Sequence, residues 1–296
     1  MQSFPIHYIE PVFRPPSEAH SLILPVTNGC SWNQCTYCEM YTAPQKKFRA
    51  RDEQDVLAEI RRCGEQLIVQ RVFLADGDDM VLPTHRLLRN LESIRTHMPT
   101  VERVTAYCLP RNLRRKSVQE LEALRQAGLA MIYVGAESGD DEVLARVNKG
   151  ETHDRTRDAL VKAGEAGIRR SVMLLNGLGG RTLTEQHARH SARLINATQP
   201  EYLATLVVSF PHGMQRFNAQ FPDFVPLSPL ELFEETERLL EQLELTDTVF
   251  RSDHASNYLV LKGVLGQDKA RLLRQVRAAI RQPELAGLRP EWARGL

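Results

Sequence analysis

At 296 residues, with 42% hydrophobic and 25% charged residues, the chain has an ordinary soluble make-up and enough length to bury a large core. A net charge of +1 gives no electrostatic case for a dedicated nucleic-acid surface, and no apolar run approaches the ~20 residues of a membrane span. Early glutamates (Glu10, Glu18) and prolines do not suit a signal peptide, and five cysteines make an odd number for a disulfide framework. The expected compartment is cytoplasmic, where thiols stay reduced.

Residues 1–20, with Pro11, Pro15 and Pro16, read as an extended lead-in. An apolar strand over about 21–27 ends at Asn28-Gly29 and hands over to a loop bearing Cys30, Cys35 and Cys38. Gln45-Lys-Lys-Phe-Arg49 and Arg51 read as a solvated basic loop, with contact to an anionic group as the alternative, and residues 52–67 carry apolar positions at helical spacing. The unit then repeats. Arg71 to Ala75 reads as a strand, followed by Asp76-Gly77-Asp78-Asp79 and a helix over 83–96. A strand over 101–108 precedes Ser117-x-x-Glu120, a capping box opening a helix to about 127. A strand over 130–136 leads into helical segments at 140–147 and 154–166. A fifth strand, 170–175, precedes Thr182-x-x-Glu185, which opens a helix to about 196, and a sixth, 202–209, precedes Ser228-Pro229-x-Glu231 and a helix to about 244. In the tail, Arg251 to Gly263 reads as a loop entering a strand. A helix over 267–281 follows, with Lys269, Arg271, Arg274, Arg277 and Arg281 on a solvated face.

Strands alternating with helices imply an α/β fold of parallel strands joined by right-handed crossovers. Periodicity alone allows an open doubly wound sheet or a partial barrel. Ligands in such folds gather at the carboxyl ends of the strands, so the segments following each strand are the places to look.

Three thiols within nine residues can wrap one side of a compact metal site, and soft sulfur favours zinc or iron–sulfur chemistry. They do not make the four-ligand set of structural zinc, and one metal corner stays open. A zinc-containing binding module is one reading. A [2Fe-2S] electron-transfer protein is another, since the four-then-two spacing matches plant-type ferredoxins and Cys63 would be its fourth ligand. Against it, Val56, Ile60, Cys63 and Leu67 recur at helical spacing, which places Cys63 on an apolar helix face.

The thiol loop resembles the cluster loop of the radical S-adenosylmethionine (radical SAM) superfamily, with four residues between the first two cysteines where the commonest family spacing is three. The resemblance covers roughly residues 20–210 and selects a partial six-unit (β/α)6 barrel over 21–244. The C-terminal extension, 245–296, would close the barrel mouth. It implies a [4Fe-4S] cluster held by Cys30, Cys35 and Cys38, with SAM chelating the fourth iron and Tyr37 near the adenosine. Asp76-Gly77-Asp78 stands where the family receives the SAM amino group. Gly135-Ala-Glu137-Ser138-Gly139, with Asn148-Lys149-Gly150, resembles the stretch that meets the ribose and methionine parts. Asn176 and Gly177 would pass close to adenine. The implied reaction is reductive cleavage of SAM to a 5′-deoxyadenosyl radical that abstracts hydrogen, with a flavodoxin- or ferredoxin-like electron donor and a small-molecule substrate. Candidate catalytic groups are His212, His254 and Cys108, with packing the simpler role for Cys108. Candidate substrate contacts are His254, Asn257, Tyr258 and Lys262. No second cysteine group remains for an auxiliary cluster, which argues against the methylthio-transferring and peptide-maturing branches, and a cobalamin domain has no room before residue 20.

Overall fold

The computed structural model describes residues 4–295, in two compact units. The first comprises the chain up to Asn33, Cys38–Val134 and Val161–Arg170; the second comprises Gln34–Tyr37, Gly135–Leu160 and the chain from Ser171.

The first unit holds β1 (Leu22–Pro25), β2 (Thr27–Asn28), β3 (Arg49–Ala50), α1 (Glu53–Gln66), β4 (Arg71–Ala75), α2 (Thr84–His97), β5 (Arg103–Cys108), α3 (Pro110–Arg114) and α4 (Val118–Gln126). It also takes the first part of β6 (Leu129–Glu137). Here the strands run in the order β1-β4-β5-β6, every pair parallel, as βαβ connections require. β2 and β3 form a separate antiparallel pair, Thr27 opposite Ala50 and Asn28 opposite Arg49. Helix starts fall where the caps put them: Asp52 accepts from the N–H groups of Gln54 and Asp55, and Ser117 with Glu120 closes a reciprocal capping box. α1 turns Val56, Ile60 and Cys63 inward, so Cys63 is a core residue. The lead-in is anchored by a 3-10 turn, Pro16–Glu18, whose buried Glu18 accepts from Arg103 (2.9 Å) and Tyr133 (2.5 Å).

The second unit continues β6 and adds α5 (Asp141–Arg146), most of α6 (His153–Glu165) and β7 (Arg169–Asn176), then α7 (Gly180–Thr198) and β8 (Tyr202–Val207). α8 (Gln215–Asn218), α9 (Pro229–Gln242), β9 (Val249–Ser252), β10 (Leu261–Val264) and α10 (Lys269–Arg281) complete it. β7, β8 and β9 are parallel neighbours and β10 pairs antiparallel with β9. Four phenylalanines after β8 (Phe210, Phe217, Phe221, Phe224) pack with Val143, Val147, Leu178 and Leu183.

All six expected β/α units are present, on β1, β4, β5, β6, β7 and β8, with most strands parallel: an α/β fold of the expected partial-barrel class. Two details of the tail differ from expectation. Arg251 and Ser252, expected to begin a loop, instead end the strand Val249–Ser252, which pairs with both β8 and β10. On α10, Lys269 donates to the carbonyls of Glu241 and Leu243, and Arg277 pairs with Glu237 and Glu241. Two of the five cations of that face, Lys269 and Arg277, therefore form a seam against α9, whereas Arg271, Arg274 and Arg281 are exposed as expected. Among the described residues, no helix is long and apolar enough to cross a membrane.

Candidate functional site

The thiol loop leaves the carboxyl end of β1 and returns through a narrow neck. At the neck, the Asn28 side chain donates to the carbonyls of Gln45 (2.8 Å) and Lys47 (3.1 Å). Gly29 has φ +76°, and a Cβ there would lie 2.0 Å from the Lys46 carbonyl oxygen, so only glycine lets the two arms meet. Within the loop, Asn33 donates to the Tyr41 carbonyl (2.9 Å), and the Arg111 guanidinium lies 4.1 Å over the Trp32 ring. Cys30 and Cys38 are half-buried and Cys35 is buried, and all stand as thiols. Among the described residues, no three His, Cys, Asp or Glu side chains converge on a single metal ion. A cluster asks for something else, since each of three thiolates binds its own iron. Three soft thiols on one short loop are the donor chemistry that an iron–sulfur cluster needs.

The acidic segment after β4 braces this loop. Asp76, Asp78 and Asp79 are all buried, and Gly77 between them is half-buried. Asp76 pairs with Lys46 and accepts from the Tyr41 hydroxyl (2.9 Å). Asp78 accepts from the Ser31 hydroxyl and the Asn112 amide. Asp79 accepts from the Thr27 hydroxyl (3.2 Å) and the Tyr107 N–H (3.3 Å). Burial raises all three carboxyls: Asp76 despite the opposing Lys46, Asp78 to about 6, and Asp79 well above the usual range, helped by its two acidic neighbours. A Cβ on Gly77 (φ +92°) would lie 2.7 Å from the Gly29 carbonyl group. The carboxylates of Asp76 and Asp78 are thus engaged inside the protein, and Gly77 is the residue of the segment that reaches solvent. The solvated-loop reading of residues 45–49 and Arg51 needs correction at two positions: Gln45, Lys47 and Arg49 are exposed, but Arg51 forks onto the buried Glu59 carboxylate, and Lys46 is 1% exposed. Its partner lies thirty residues away, and no local pattern marks it.

In the second unit, Tyr37, Glu137 and Lys149 come together. Lys149 Nζ stands 3.0 Å from Glu137 Oε1 and 3.3 Å from the Tyr37 hydroxyl. Glu137 ends β6 in the left-handed region (φ +66°), and a Cβ on Gly135 would sit 2.1 Å from its Oε1. The Thr36 N–H donates to the Val147 carbonyl (3.0 Å), tying this part of the thiol loop to the Asn148-Lys149 turn. Ser138 is fully buried, with Oγ 2.8 Å from His187 Nδ1 and accepting from the Asp140 N–H (3.0 Å). Asp140 caps α5 and holds His190. Ser191 accepts from the Gly139 N–H (2.9 Å). The polar residues of α7 (Thr184, His187, His190, Ser191) were missed by sequence reasoning; their three- and four-residue spacing was the available signal. Asn176 reaches Thr236 (3.4 Å), and the Gly177 N–H donates to buried Glu235 (2.7 Å), which also accepts from Thr184 (2.6 Å).

The remaining candidates scatter. Cys108 is buried and donates to the Leu109 carbonyl (3.3 Å). His212 is exposed. His254 and Tyr258 share a half-buried loop, in which His254 Nδ1 meets Ser256 (2.9 Å) and Arg294 covers the Tyr258 ring at 3.6 Å. Burial, followed by the charge of Arg289, lowers the His254 pKa. Asn257 is buried and ties β8 to this loop, donating to the Thr205 carbonyl and accepting from the Val207 N–H. Lys262 is exposed and pairs with Asp253 (2.9 Å).

The family model of the radical SAM superfamily matches residues 24–195. Over 151 residues the chain is 26% identical to a Methanocaldococcus jannaschii protein carrying a methylthiotransferase name, covering 48% of this chain and 32% of that one. Over 163 residues it is 22% identical to the heme chaperone HemW of Bacillus subtilis, covering 53% of this chain and 42% of that protein. The matches thus span less than half the length of these curated relatives. Among solved structures, coproporphyrinogen III oxidase (HemN) of Escherichia coli shares the fold with a TM-score of 0.54 at 18% identity, over 75% of this chain and 52% of that one.

Proposed function

The chain belongs to the radical SAM superfamily, whose model spans more than half of it, and from that premise we propose its reaction and the roles of its residues. It is an enzyme that uses a [4Fe-4S] cluster and S-adenosylmethionine. When bound, that pair supplies an electron to the sulfonium and, through methionine release, a 5′-deoxyadenosyl radical able to take hydrogen from an unactivated carbon of a small substrate. The protein's part is binding, orientation and exclusion of water. Cys30, Cys35 and Cys38 would hold the cluster through their thiolates, three ligands that would leave room for the nucleotide. The main chain around Gly77 receives the amino group, with Asp76 and Asp78 holding that segment in place. Glu137, oriented by Lys149, takes the ribose side, and the buried Ser138 fixes the turn that presents it. Tyr37 and the Asn176-Gly177 turn border the adenosine. His254, Tyr258 and Lys262 offer the substrate contacts, on a loop that Asn257 secures, and His212 is the most accessible further candidate. The reducing partner is a flavodoxin- or ferredoxin-like protein.

The observation that carries this reading is the thiol loop itself. It stands at the carboxyl end of β1, its neck closed by Asn28 and Gly29, with the acidic segment of the next β/α unit packed against it. The electron-carrier reading meets a physical objection. Cys63 is a core residue of α1, and burial pushes its thiol up to about 11, whereas a cluster ligand must be a thiolate. The test is anaerobic reconstitution with iron and sulfide, then SAM and dithionite, with 5′-deoxyadenosine as the readout. Cys35→Ala is expected to lose the cluster and Cys63→Ala to keep it. Equal loss of iron in the two variants would replace this reading with the electron carrier.

A further inference from the structure

The acidic segment after β4 touches the thiol loop on both of its arms. On the entry arm, Asp79 holds Thr27 and Asp78 holds Ser31, one residue after Cys30. On the exit arm, Asp76 holds Tyr41, three residues after Cys38, and pairs with Lys46. Lys46 also donates to the Ile9 carbonyl of the lead-in (2.8 Å), and its ammonium lies 5.9 Å from the Tyr41 ring centroid. Tyr41 is itself packed edge-on against Phe13 (5.5 Å between centroids). A charged pair this deeply buried is hard to justify by stability alone, because desolvating both ions offsets much of their attraction. Such a pair does fix one arrangement, since either partner out of place leaves a bare charge in the core.

We infer that Asp76, Lys46 and Tyr41 are positioning residues: a buried clamp that holds the exit arm of the thiol loop at a set distance from its entry arm, and so sets how firmly the loop retains its cluster. The inference rests on the cluster-binding reading of Cys30, Cys35 and Cys38. Within the first unit, the loop's own bonds include those from the Asn33 side chain to the Tyr41 carbonyl and from the Thr42 hydroxyl to the Glu39 carbonyl. Tyr41 is therefore the point where the loop's internal tie and the clamp meet, and its hydroxyl is the smallest group whose removal separates them.

The test compares Tyr41→Phe, the charge-neutral pair Lys46→Met with Asp76→Asn, and Tyr8→Phe as a control. Tyr8 is another tyrosine of this unit, whose hydroxyl donates to the Ile23 carbonyl (2.9 Å) away from the loop. Each protein is reconstituted anaerobically, its iron content is measured, and iron release to a ferrous chelator is timed. Thermal midpoints of the metal-free proteins are recorded alongside. Tyr41→Phe is expected to keep its midpoint within a few degrees of the parent's and release iron about tenfold faster, the rate equivalent of losing one hydrogen bond to a charged group. The double variant is expected to release it at least as fast; should it not fold, Tyr41→Phe decides alone. Parent-like release from Tyr41→Phe, or equal acceleration by Tyr8→Phe, overturns the clamp while leaving the cluster reading intact. A parent that takes up no iron overturns the cluster reading, and the clamp with it.

Discussion

Asp78 offers a prediction whose size follows from its surroundings. Its carboxyl is fully buried, and burial raises its pKa from 3.8 to about 6 against the opposing pull of Ser31 and Asn112. The folded state therefore holds its proton over a pH range in which the unfolded chain has released it. Stability is greatest below the unfolded value, falls as pH rises through the interval between the two pKa values, and is level above the folded one. Evaluated at about 1.4 kcal/mol per pKa unit, this cost is about 2 kcal/mol at pH 5 and about 3 kcal/mol at pH 8. Asp78→Asn removes the titration and keeps the shape. The stability of the variant relative to the parent should therefore improve by roughly 1 kcal/mol between pH 5 and pH 8. Relief of Asp79, whose own carboxyl is raised partly by Asp78, adds in the same direction. Any fixed loss from altered hydrogen bonds to Ser31 and Asn112 cancels in that difference. The assay is urea unfolding of the metal-free proteins at both pH values. A difference that stays constant, or shrinks toward pH 8, would refute the argument that a desolvated carboxylate sits there.

Two further substitutions probe the second unit. Gly139→Ala places a Cβ 2.2 Å from the His190 carbonyl oxygen and 2.7 Å from the Ser191 Cα, both backbone atoms of α7. It should cost about 1–3 kcal/mol or more in urea unfolding, as overpacking does, and a neutral result would mean α7 lies farther from the Glu137 turn. Lys149→Met strands the Glu137 carboxylate in a buried site and should destabilise by about 3 kcal/mol. Adding Glu137→Gln should recover most of that loss, and failure to recover would place the cost in packing rather than charge.

Short-range signals carried much of the architecture. Ser117–Glu120 and Ser228–Glu231 open their helices as expected, each closing a capping box because one helical turn brings partners three residues apart together, whereas Thr182-x-x-Glu185 does not open α7, which starts at Gly180 without a side-chain cap. The alternation of strand and helix was likewise legible, since burial of one face imposes its period on the residues. β9 escaped notice because four residues alternating Val-Phe-Arg-Ser become a strand only through partners on both sides. α10 was found, but which of its cations are solvated depends on α9 lying against it.

By itself, the sequence determined the chemistry on offer: three thiols on a loop after the first strand, a glutamate in a glycine-flanked turn after the fourth, and an acidic run after the second. Chain folding alone decided what each of those groups does. Lys46 reads as one charge among several in an exposed strip until Asp76 is brought to it, and Ser138 reads as a ligand contact until His187 arrives from a helix forty-nine residues on. The reason is the range of the forces involved. Periodicity and capping act within a turn or two of chain, whereas the cost of burying a charge or hydroxyl is settled by whichever distant segment closes over it.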